Sequence, residues 1–388
     1  MKTVDLVYFN AGGGHRAAAL ALQEAIALQQ RPWQVRLVNL TEVLDPAGRF
    51  RRATGMDPED LYNKRLARGW TLGMAQELKL LQGVIRMAHS SLVRTLQQHW
   101  LRSEPDIVVS LIPNFNRALG ESLAGALPGV PFVTVLTDMA DHPPHFWIEP
   151  ELPQHVVCGT DEALAQARAA GYRNDQLSLT SGMILHPSFH APMRVDRERA
   201  LAALGLDPTR PTGLVMFGGQ GSMQMLRIAR LLGDRQLILM CGHNAALADA
   251  LRRLRRPAPH AVLGFTREVA RTMALADWFV GKPGPGSLSE ALHMGLPVVT
   301  FSNAWTMPQE RFNTRWVEQH GVGRVIGSLR QLPQAVEALI ADLPALRQRV
   351  GALHNRAVFE VPDILEAQLM RAAVPLPTTL AQLQGEPA

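Results

Sequence analysis

Residues 278–301 have the sequence WFVGKPGPGSLSEALHMGLPVVTF, which changes from one local pattern to another along its length. A continuous apolar run, Trp278–Gly281, is followed by a loop rich in glycine and proline, by a helical pattern that opens at Ser287, and by a second apolar run, Val298–Phe301. Strands that are buried on both faces have this continuous apolar character, and a helix that connects two strands makes them parallel. The stretch therefore predicts a strand, helix, strand unit of a parallel sheet.

The same pattern recurs along the chain. Short apolar runs bounded by turn residues occur in the first half at Val4–Asn10, Val35–Leu40, Asp106–Ile112, Phe132–Thr137, His155–Cys158 and Leu177–Thr180. In the second half they occur at Gly213–Phe217, Gln236–Cys241, Ala261–Phe265, Trp278–Gly281, Val298–Phe301 and Arg324–Ile326. Because helical patterns separate most of them, the sequence predicts an α/β fold with parallel sheets.

Each half of the chain opens with an apolar run that ends in glycines, at residues 11–15 (AGGGH) and at residues 216–221 (MFGGQG). This repetition predicts two Rossmann-like domains that face a central cleft, where a ligand is expected to bind. The predicted boundaries are residues 1–186 for the first domain, 187–355 for the second, and 356–388 for a C-terminal helix and a frayed tail.

The composition fits a globular protein with sizeable cores, because 47% of the 388 residues are hydrophobic and 19% are charged. The net charge of +5 permits an anionic partner: a nucleotide phosphate, an anionic membrane surface or nucleic acid. Aromatic residues make up 6% and do not interleave with basic residues in the way that stacks bases, so nucleic acid is the least expected partner. Cys158 and Cys241 lie in apolar runs and are predicted to be buried free thiols in a reducing compartment.

Membrane contact is expected to be peripheral. The N-terminus has no basic region followed by a long apolar region, so the sequence predicts no signal peptide. No apolar stretch reaches the ~18 residues that a spanning helix needs.

A helical pattern over residues 72–96 interrupts the alternation of strands and helices. Its polar arc contains Lys79, Arg86, His89, Ser90 and Arg94, and its apolar arc contains Leu78, Leu80, Leu81, Val84, Ile85, Met87, Ala88 and Leu92. A basic amphipathic helix with a nearby tryptophan, here Trp70, is typical of a helix that lies in a membrane interface. The alternative is that the apolar arc packs on the domain core.

The first glycine turn precedes His15. Glycines after a strand let the backbone approach a ligand closely, and an imidazole beside them can take a proton from a hydroxyl. The alternative is a histidine that only caps the helix. A nicotinamide dinucleotide site is disfavoured, because its fingerprint expects an acidic residue near the end of the second strand, where this chain has Asn39 with Glu42 only nearby.

Two loops of the second half are candidate phosphate sites. The turn at residues 218–221 and the loop at residues 283–286 each precede a predicted helix, whose free N–H groups favour a phosphate. The alternative for the first is a tight structural turn. Glu290, three residues after Ser287, is either the partner of Ser287 in a capping box or a carboxylate that accepts two hydrogen bonds from a ribose diol.

Asp138 follows the apolar run Phe132–Thr137 and is therefore a candidate functional group or a helix cap. It belongs to the first half of the chain, as His15 does, and could orient that imidazole. The sequence contains no plausible Asp-x-Asp metal pair and no zinc spacing, so no metal site is expected.

Several of these motifs together resemble the monogalactosyldiacylglycerol synthases. They are residues 12–16 (GGGHR), 137–143 (TDMADHP), 181–189 (SGMILHPSF) and 281–297 (GKPGPGSLSEALHMGLP), and Gln309-Glu310 with Asn313. This family is related to the bacterial N-acetylglucosaminyltransferase that forms lipid II and to processive diacylglycerol glucosyltransferases. The resemblance extends from about residue 6 to about residue 330.

The resemblance implies a GT-B fold, a UDP-sugar as co-substrate rather than a cofactor, no metal, and inversion at the anomeric carbon. It implies that the donor is bound by Gly218, Gly219, Gln220, Phe265 (against uracil), Gly284, Gly286, Ser287, Glu290, Gln309 and Glu310. It implies that the acceptor side is formed by Gly13, Gly14, Trp70 and His142, with His15 facing the acceptor and the sugar. Pro283 stands where the family usually has alanine, and Gln220 stands where it usually has glycine or glutamate, so the sugar stays open.

We therefore expect an enzyme that transfers a hexose from a UDP-sugar to a diacylglycerol-type lipid. We expect it to be cytoplasmic and bound peripherally to the inner face of the cell membrane. His15 or Asp138 takes the proton of the acceptor hydroxyl, and the unperturbed pKa of imidazole favours His15. The alternatives are a polyprenyl-diphosphate-linked acceptor, a UDP-sugar epimerase, and a nucleotide-sugar binding protein.

Overall fold

The computed structural model of the chain describes residues 1–10, 14–48, 52, 74–304 and 306–373. The predicted contributions of Gly13 and Trp70, and the predicted frayed tail after residue 373, lie outside the described residues.

The first sheet has six parallel strands in the order β2-β1-β3-β4-β5-β6. The strands are β1 (Lys2–Tyr8), β2 (Trp33–Asn39), β3 (Ile107–Ser110), β4 (Phe132–Val135), β5 (His155–Cys158) and β6 (Leu177–Leu179). The accompanying helices are α1 (Gly14–Leu28), α2 (Leu40–Leu44), α3 (Met74–Ser103), α4 (Asn116–Ala126) and α5 (Asp161–Ala169).

The second sheet also has six parallel strands, in the order β12-β11-β10-β7-β8-β9. The strands are β7 (Thr212–Met216), β8 (Gln236–Met240), β9 (His260–Leu263), β10 (Trp278–Gly281), β11 (Val298–Phe301) and β12 (Gly323–Ile326). The helices are α6 (Arg197–Ala203), α7 (Gln224–Leu231), α8 (Ala245–Arg252), α9 (Val269–Met273), α10 (Pro285–His293), α11 (Arg311–Gln319), α12 (Leu332–Ala341), α13 (Leu343–Gly351) and α14 (Ala357–Ala373).

Burial explains why these segments form strands. Every residue of β3, β4, β5, β7, β8, β10 and β11 is buried, because helices cover both faces of each sheet. The predicted α/β architecture with two parallel sheets is confirmed. The sheets are arranged so that the carboxyl ends of the strands carry the loops that contain the candidate site residues.

The chain passes between the two domains twice, and the two connecting segments, one at Ser181 and the other at Asn355, are hydrogen-bonded to each other. Ser181 Oγ donates to Glu360 Oε1 at 2.7 Å and accepts the Arg356 N–H at 2.7 Å. Asn355 Nδ2 donates to the Met183 carbonyl at 2.9 Å, and a β-carbon built at Gly182 would lie 2.7 Å from the Asn355 side chain. The predicted boundary between residues 186 and 187 lies in the first crossing.

After the second crossing, α14 returns to the first domain. Its buried face packs with β1, β3 and α1 in one core, through Val358, Val361, Leu365 and Leu369. The two domains also meet directly, because Met139, Ala140 and Met183 of the first pack against Phe312 and Trp316 of the second. This apolar contact lies beside the cleft between the sheets.

The predicted helix over residues 72–96 is confirmed from residue 74 onward as part of α3, but only part of its predicted apolar arc is buried. His89, assigned to the exposed polar arc, lies against α4 with Nε2 2.7 Å from Glu121 Oε2. The core contact comes from Leu96 and Trp100, and Leu92 of the predicted apolar arc packs against the same core. Three residues of the predicted apolar arc, Leu81, Val84 and Met87, are 46%, 47% and 82% exposed, respectively.

Among the described helices, none combines the length and the apolar character that crossing a lipid bilayer requires. Cys158 and Cys241 are buried and free, as predicted.

Candidate active site

His15 lies one residue after the start of α1, at the carboxyl end of β1. Its Nδ1 is 3.1 Å from Thr137 Oγ1, at the end of β4. Burial lowers the pKa of the His15 imidazole to about 4, against a smaller opposing contribution from the Leu111 carbonyl. The ring is therefore neutral near pH 7, and whichever nitrogen does not carry the proton has a free electron pair.

Asp138 is buried and bonded to an indole. Trp147 Nε1 donates to Asp138 Oδ2 at 2.9 Å, whereas Oδ1 has no hydrogen-bond partner among the described residues. The Trp147 ring also lies 5.9 Å from the His15 ring, centre to centre. Trp147 therefore contacts both candidate bases, and the His15 imidazole is hydrogen-bonded with Thr137, not with Asp138.

Asp141 fixes the loop that carries Trp147. Its Oδ1 accepts the Trp147 backbone N–H at 2.7 Å, and its Oδ2 accepts the His145 N–H at 2.9 Å. Burial raises the pKa of Asp141, and these N–H donors oppose the shift. The carboxylate of Asp141 is thus used for local structure, whereas Asp138 is buried with a hydrogen bond to one of its two oxygens.

An ion pair occupies the facing edge of the second domain. Lys282 Nζ lies 2.9 Å from Glu310 Oε1, and Glu310 is only 4% exposed. A β-carbon built at Gly284 would lie 3.2 Å from Lys282 Cε and 3.4 Å from Glu310 Oε1, so glycine at this position leaves room for the pair.

The two edges face each other across the cleft. Burial raises the pKa of Asp138 to about 7. The Trp147 N–H and the charge of Lys282 oppose this shift, whereas the charges of Glu310 and Asp141 add to it. An electrostatic effect of this kind requires that the second-domain pair lie near Asp138. His142, from the same first-domain loop, has its ring 6.5 Å from that of Phe312 in the second domain.

Glu290 has a different environment. It is half-buried on α10, and its carboxylate has no hydrogen-bond or ion-pair partner among the described residues. Burial raises the pKa of Glu290 to about 7. The capping-box alternative does not apply, because α10 begins at Pro285 with Gly284 as its N-cap and has no side-chain cap. Proline at the first helical position was the sequence signal for this earlier start.

The glycines of the second-domain loops fall into two groups. Gly219 and Gly286 have nothing within 4 Å of a built β-carbon, so their backbone can be approached closely. Gly218 and Gly221 have φ angles of +69° and +58°, and a β-carbon at Gly221 would lie 2.7 Å from the Cys241 carbonyl oxygen. The turn at residues 218–221 is thus both a structural turn and an open backbone surface.

The remaining predicted donor residues lie around these loops. Phe265 is 57% exposed and stacks on His243, with ring centres 4.0 Å apart. His243 is joined to the glycine turn, because its N–H donates to the Gly219 carbonyl at 2.9 Å. Gln220 is exposed, and Gln309 makes only a weak contact of 3.6 Å with Met307 Sδ.

Three contacts at this site were not expected from the sequence. Trp147 and Thr137 bond the candidate bases, and Lys282 pairs with Glu310. Asn313 supports the same loop, because its Nδ2 donates to the Pro283 carbonyl at 2.7 Å.

No group of three His, Cys, Asp or Glu side chains within the described ranges is arranged to hold a metal ion.

Comparison with known proteins agrees with this geometry. Residues 214–367 match the profile of the glycosyltransferase family 28 C-terminal domain. The chain is 28% identical over 363 residues to monogalactosyldiacylglycerol synthase 1, chloroplastic, of Arabidopsis thaliana, covering 88% of this chain and 64% of that protein. The chain thus spans just under two thirds of the length of this synthase and of the synthases of Glycine max and Spinacia oleracea.

Solved structures show the same fold at low sequence identity. MurG of Acinetobacter baumannii superposes with a TM-score of 0.60 at 13% identity, over 95% of this chain and 100% of that one. Anabaena Alr3699/HepE in complex with UDP superposes with a TM-score of 0.53 at 15% identity, again over 95% and 100%. The chain therefore has the GT-B fold, matches the glycosyltransferase family 28 C-terminal domain over residues 214–367, and is similar over most of its length to the monogalactosyldiacylglycerol synthases.

Proposed function

We propose that this chain transfers a hexose from a UDP-sugar to the hydroxyl of a diacylglycerol-type lipid, with inversion and without a metal ion. The observation that supports the proposal is that the two sheets present different groups of residues to the same cleft. One edge has the candidate bases His15, which is half-buried, and Asp138, which is buried, and the other has open glycine loops beside Lys282 and Glu310.

The second domain would bind the donor. Glu290 has an unpaired carboxyl group, as expected of a group that accepts both hydroxyls of a ribose. The open backbone at Gly219 and Gly286 and the N-terminus of α10, with the Ser287 hydroxyl, suit a diphosphate. Phe265 offers an exposed ring for a base, and Gln309 would contact the sugar. Glu310, which is 4% exposed and paired with Lys282, would act through that ammonium group. A UDP complex of a structural neighbour supports this choice of donor.

The first domain would activate the acceptor. Attack by the acceptor oxygen from the face opposite the diphosphate inverts the anomeric carbon, and its proton passes to His15 or Asp138. The sequence argument for His15 depended on the unperturbed pKa of imidazole. Because burial lowers the pKa of His15 to about 4 and raises that of Asp138 to about 7, Asp138 is the better matched base near neutral pH. Gly14 and His142 border the same edge.

The lipid acceptor and the membrane surface are proposed from two observations. The relatives include synthases of a galactosyl-diacylglycerol. On α3, the exposed apolar side chains Leu81, Val84 and Met87 lie beside exposed Arg86 and Arg94, which is the composition of a helix at an anionic membrane interface.

The test is a transfer assay with defined lipids. The purified protein would be incubated with anionic vesicles that contain diacylglycerol and with a panel of UDP-sugars, and new glycolipid would be measured by mass spectrometry. We expect a glycosyl-diacylglycerol, also in excess EDTA. A vesicle that lacks diacylglycerol is the matched control.

Other outcomes would contradict parts of the proposal. Loss of activity in EDTA that a divalent ion restores would contradict the metal-free mechanism. Conversion of a UDP-sugar without any acceptor would indicate an epimerase. Transfer to a polyprenyl diphosphate-linked sugar, with none to diacylglycerol, would change the acceptor but keep the donor site.

A further inference from the structure

Lys282 lies between the two glycine loops of the second domain. It is the first residue after β10, and its side chain runs toward the turn at residues 218–221. A β-carbon built at Gly218 would lie 4.0 Å from Lys282 Cε, and one built at Gly284 would lie 3.2 Å from the same atom. The side chain therefore fills the space between the two loops proposed to hold the diphosphate.

The ammonium group retains binding capacity in this position. Nζ lies 2.9 Å from Glu310 Oε1, but an ammonium has three N–H donors, and the side chain is 37% exposed whereas that of Glu310 is 6% exposed. The carboxylate is thus on the protein side of the pair and the ammonium is on the cleft side. The charge of Lys282 also reaches Asp138 in the opposite domain, so the ammonium is near the position where transfer would occur.

We infer that the Lys282 ammonium binds the diphosphate of a nucleoside diphosphate sugar and stabilises the negative charge that it gains as it leaves. The inference rests on the proposed function and adds a side-chain cation to the backbone N–H groups described above.

The step balances without a further reactant. The bond from the anomeric carbon to the diphosphate oxygen breaks, and its electron pair stays on that oxygen. The bond from the acceptor oxygen to the anomeric carbon forms, and the acceptor proton moves to the first-domain base. Lys282 stays protonated throughout, and a fixed cation of this kind acts most strongly where charge develops in the transition state.

The competing explanation is that Lys282 only neutralises the buried Glu310. A double-mutant cycle separates the two roles, using Lys282→Met, Glu310→Gln and the double variant. The single variant Lys282→Met leaves Glu310 buried and unpaired and can unfold the domain, so the deciding comparison is made in the Glu310→Gln background, with thermal unfolding as a check. Binding of UDP and of uridine would be measured by calorimetry, and transfer by the lipid assay.

In the Glu310→Gln background, we expect Lys282→Met to weaken UDP binding by about 10- to 100-fold and to lower kcat as well, with uridine affinity unchanged. Lys2→Met is the matched control, because Lys2 is in an ion pair with Asp106 at the opposite end of β1 and should affect neither ligand.

Equal UDP affinity with and without Lys282 in the Glu310→Gln background would overturn the inference. Equal losses for UDP and uridine would do the same, because the effect would then not belong to the phosphates. A wild-type protein that binds no UDP would instead remove the proposed function itself, so the two failures are distinguishable.

Discussion

Asp138 and Glu290 are carboxyl groups of different domains, and burial raises the pKa of each to about 7. Their surroundings differ. Asp138 accepts a hydrogen bond from Trp147 and is subject to the charges of Glu310, Lys282 and Asp141, whereas Glu290 has no polar partner within the described part of the chain.

The difference indicates two kinds of preorganisation. A carboxyl group that is fixed by an indole and tuned to about 7 is suited to exchange a proton near neutral pH. A carboxyl group that is half-buried without a partner is unfavourable until a ligand supplies donors, so its binding energy is realised only in the complex. We therefore propose that the first domain supplies chemistry at Asp138 and the second supplies recognition at Glu290.

The largest expected effect is on turnover in the first domain. Asp138→Asn should lower kcat by about 10²- to 10⁴-fold, because general-base catalysis contributes that much, while UDP affinity stays within about 2-fold. The lipid transfer assay and UDP calorimetry measure the two quantities. His15→Ala is the parallel variant, and we expect it to retain UDP affinity and lose turnover. If Asp138→Asn kept full activity, the comparison between a chemical and a recognition carboxyl group would fail.

The next effect is on binding in the second domain. Glu290→Ala should weaken UDP binding by more than about 10-fold, since it removes an acceptor that forms charge-assisted hydrogen bonds. The matched comparison is 2′,3′-dideoxyuridine diphosphate, which lacks the ribose diol and should bind the wild type and the variant alike. Unchanged UDP affinity in Glu290→Ala would remove the ribose assignment.

The fold could be predicted because it depends on local pattern. All twelve strands in the described part of the chain overlap apolar runs that were identified from the sequence, since burial on both faces makes the central strands of each sheet largely apolar. The orientation of α3 could not be predicted in the same way. Periodicity shows that a helix has two faces, but the contact of His89 with Glu121 depends on the position of α4.

For the candidate site too, the sequence predicted where residues lie but not which of them contact each other. The glycine loops follow strands directly, and Glu290 lies on the helix that begins in the second loop, so their location near the sheet edge follows from the sequence. The bond from Trp147 to Asp138 and the pairing of Lys282 with Glu310 join residues that meet only in the folded chain. The perturbed pKa values of His15 and Asp138 result from burial in the folded chain. The sequence argument used unperturbed pKa values and therefore favoured His15.

A smaller effect is expected on the stability of the ligand-free protein. The pKa of Glu290 is about 7 when folded and about 4.3 in an unfolded chain, so the protonated form favours folding. This contribution is fully present below about pH 4 and is lost as the pH rises through 7. Glu290→Gln should therefore raise the free energy of unfolding by about 1–2 kcal/mol at pH 8, discounted for partial exposure, and by nearly nothing at pH 4.

Denaturant unfolding at the two pH values measures this difference, with Glu337→Gln on the second domain as a control for removing one negative charge. A gain of the same size at both pH values, or a gain equal to that of the control, would show that Glu290 is not destabilised by burial.

The smallest expected effect is a shift in pH dependence. If Asp138 is the base, kcat/KM should fall as the pH decreases through about 7, because the carboxylate becomes protonated. Trp147→Phe removes the N–H that stabilises this carboxylate but keeps a ring beside His15. The pKa of Asp138 should then rise, which moves the acidic limb to higher pH by about 0.5–1 unit.

The charges of Glu310, Lys282 and Asp141 also act on Asp138, so the variant leaves all three unchanged and the shift reports the lost N–H alone. An acidic limb near pH 4 that Trp147→Phe does not move would assign the proton to His15, whose pKa burial lowers to about 4. In that case Asp138 would act only through the positions of Trp147 and His15, and the first domain would rely on a neutral imidazole instead of a tuned carboxylate.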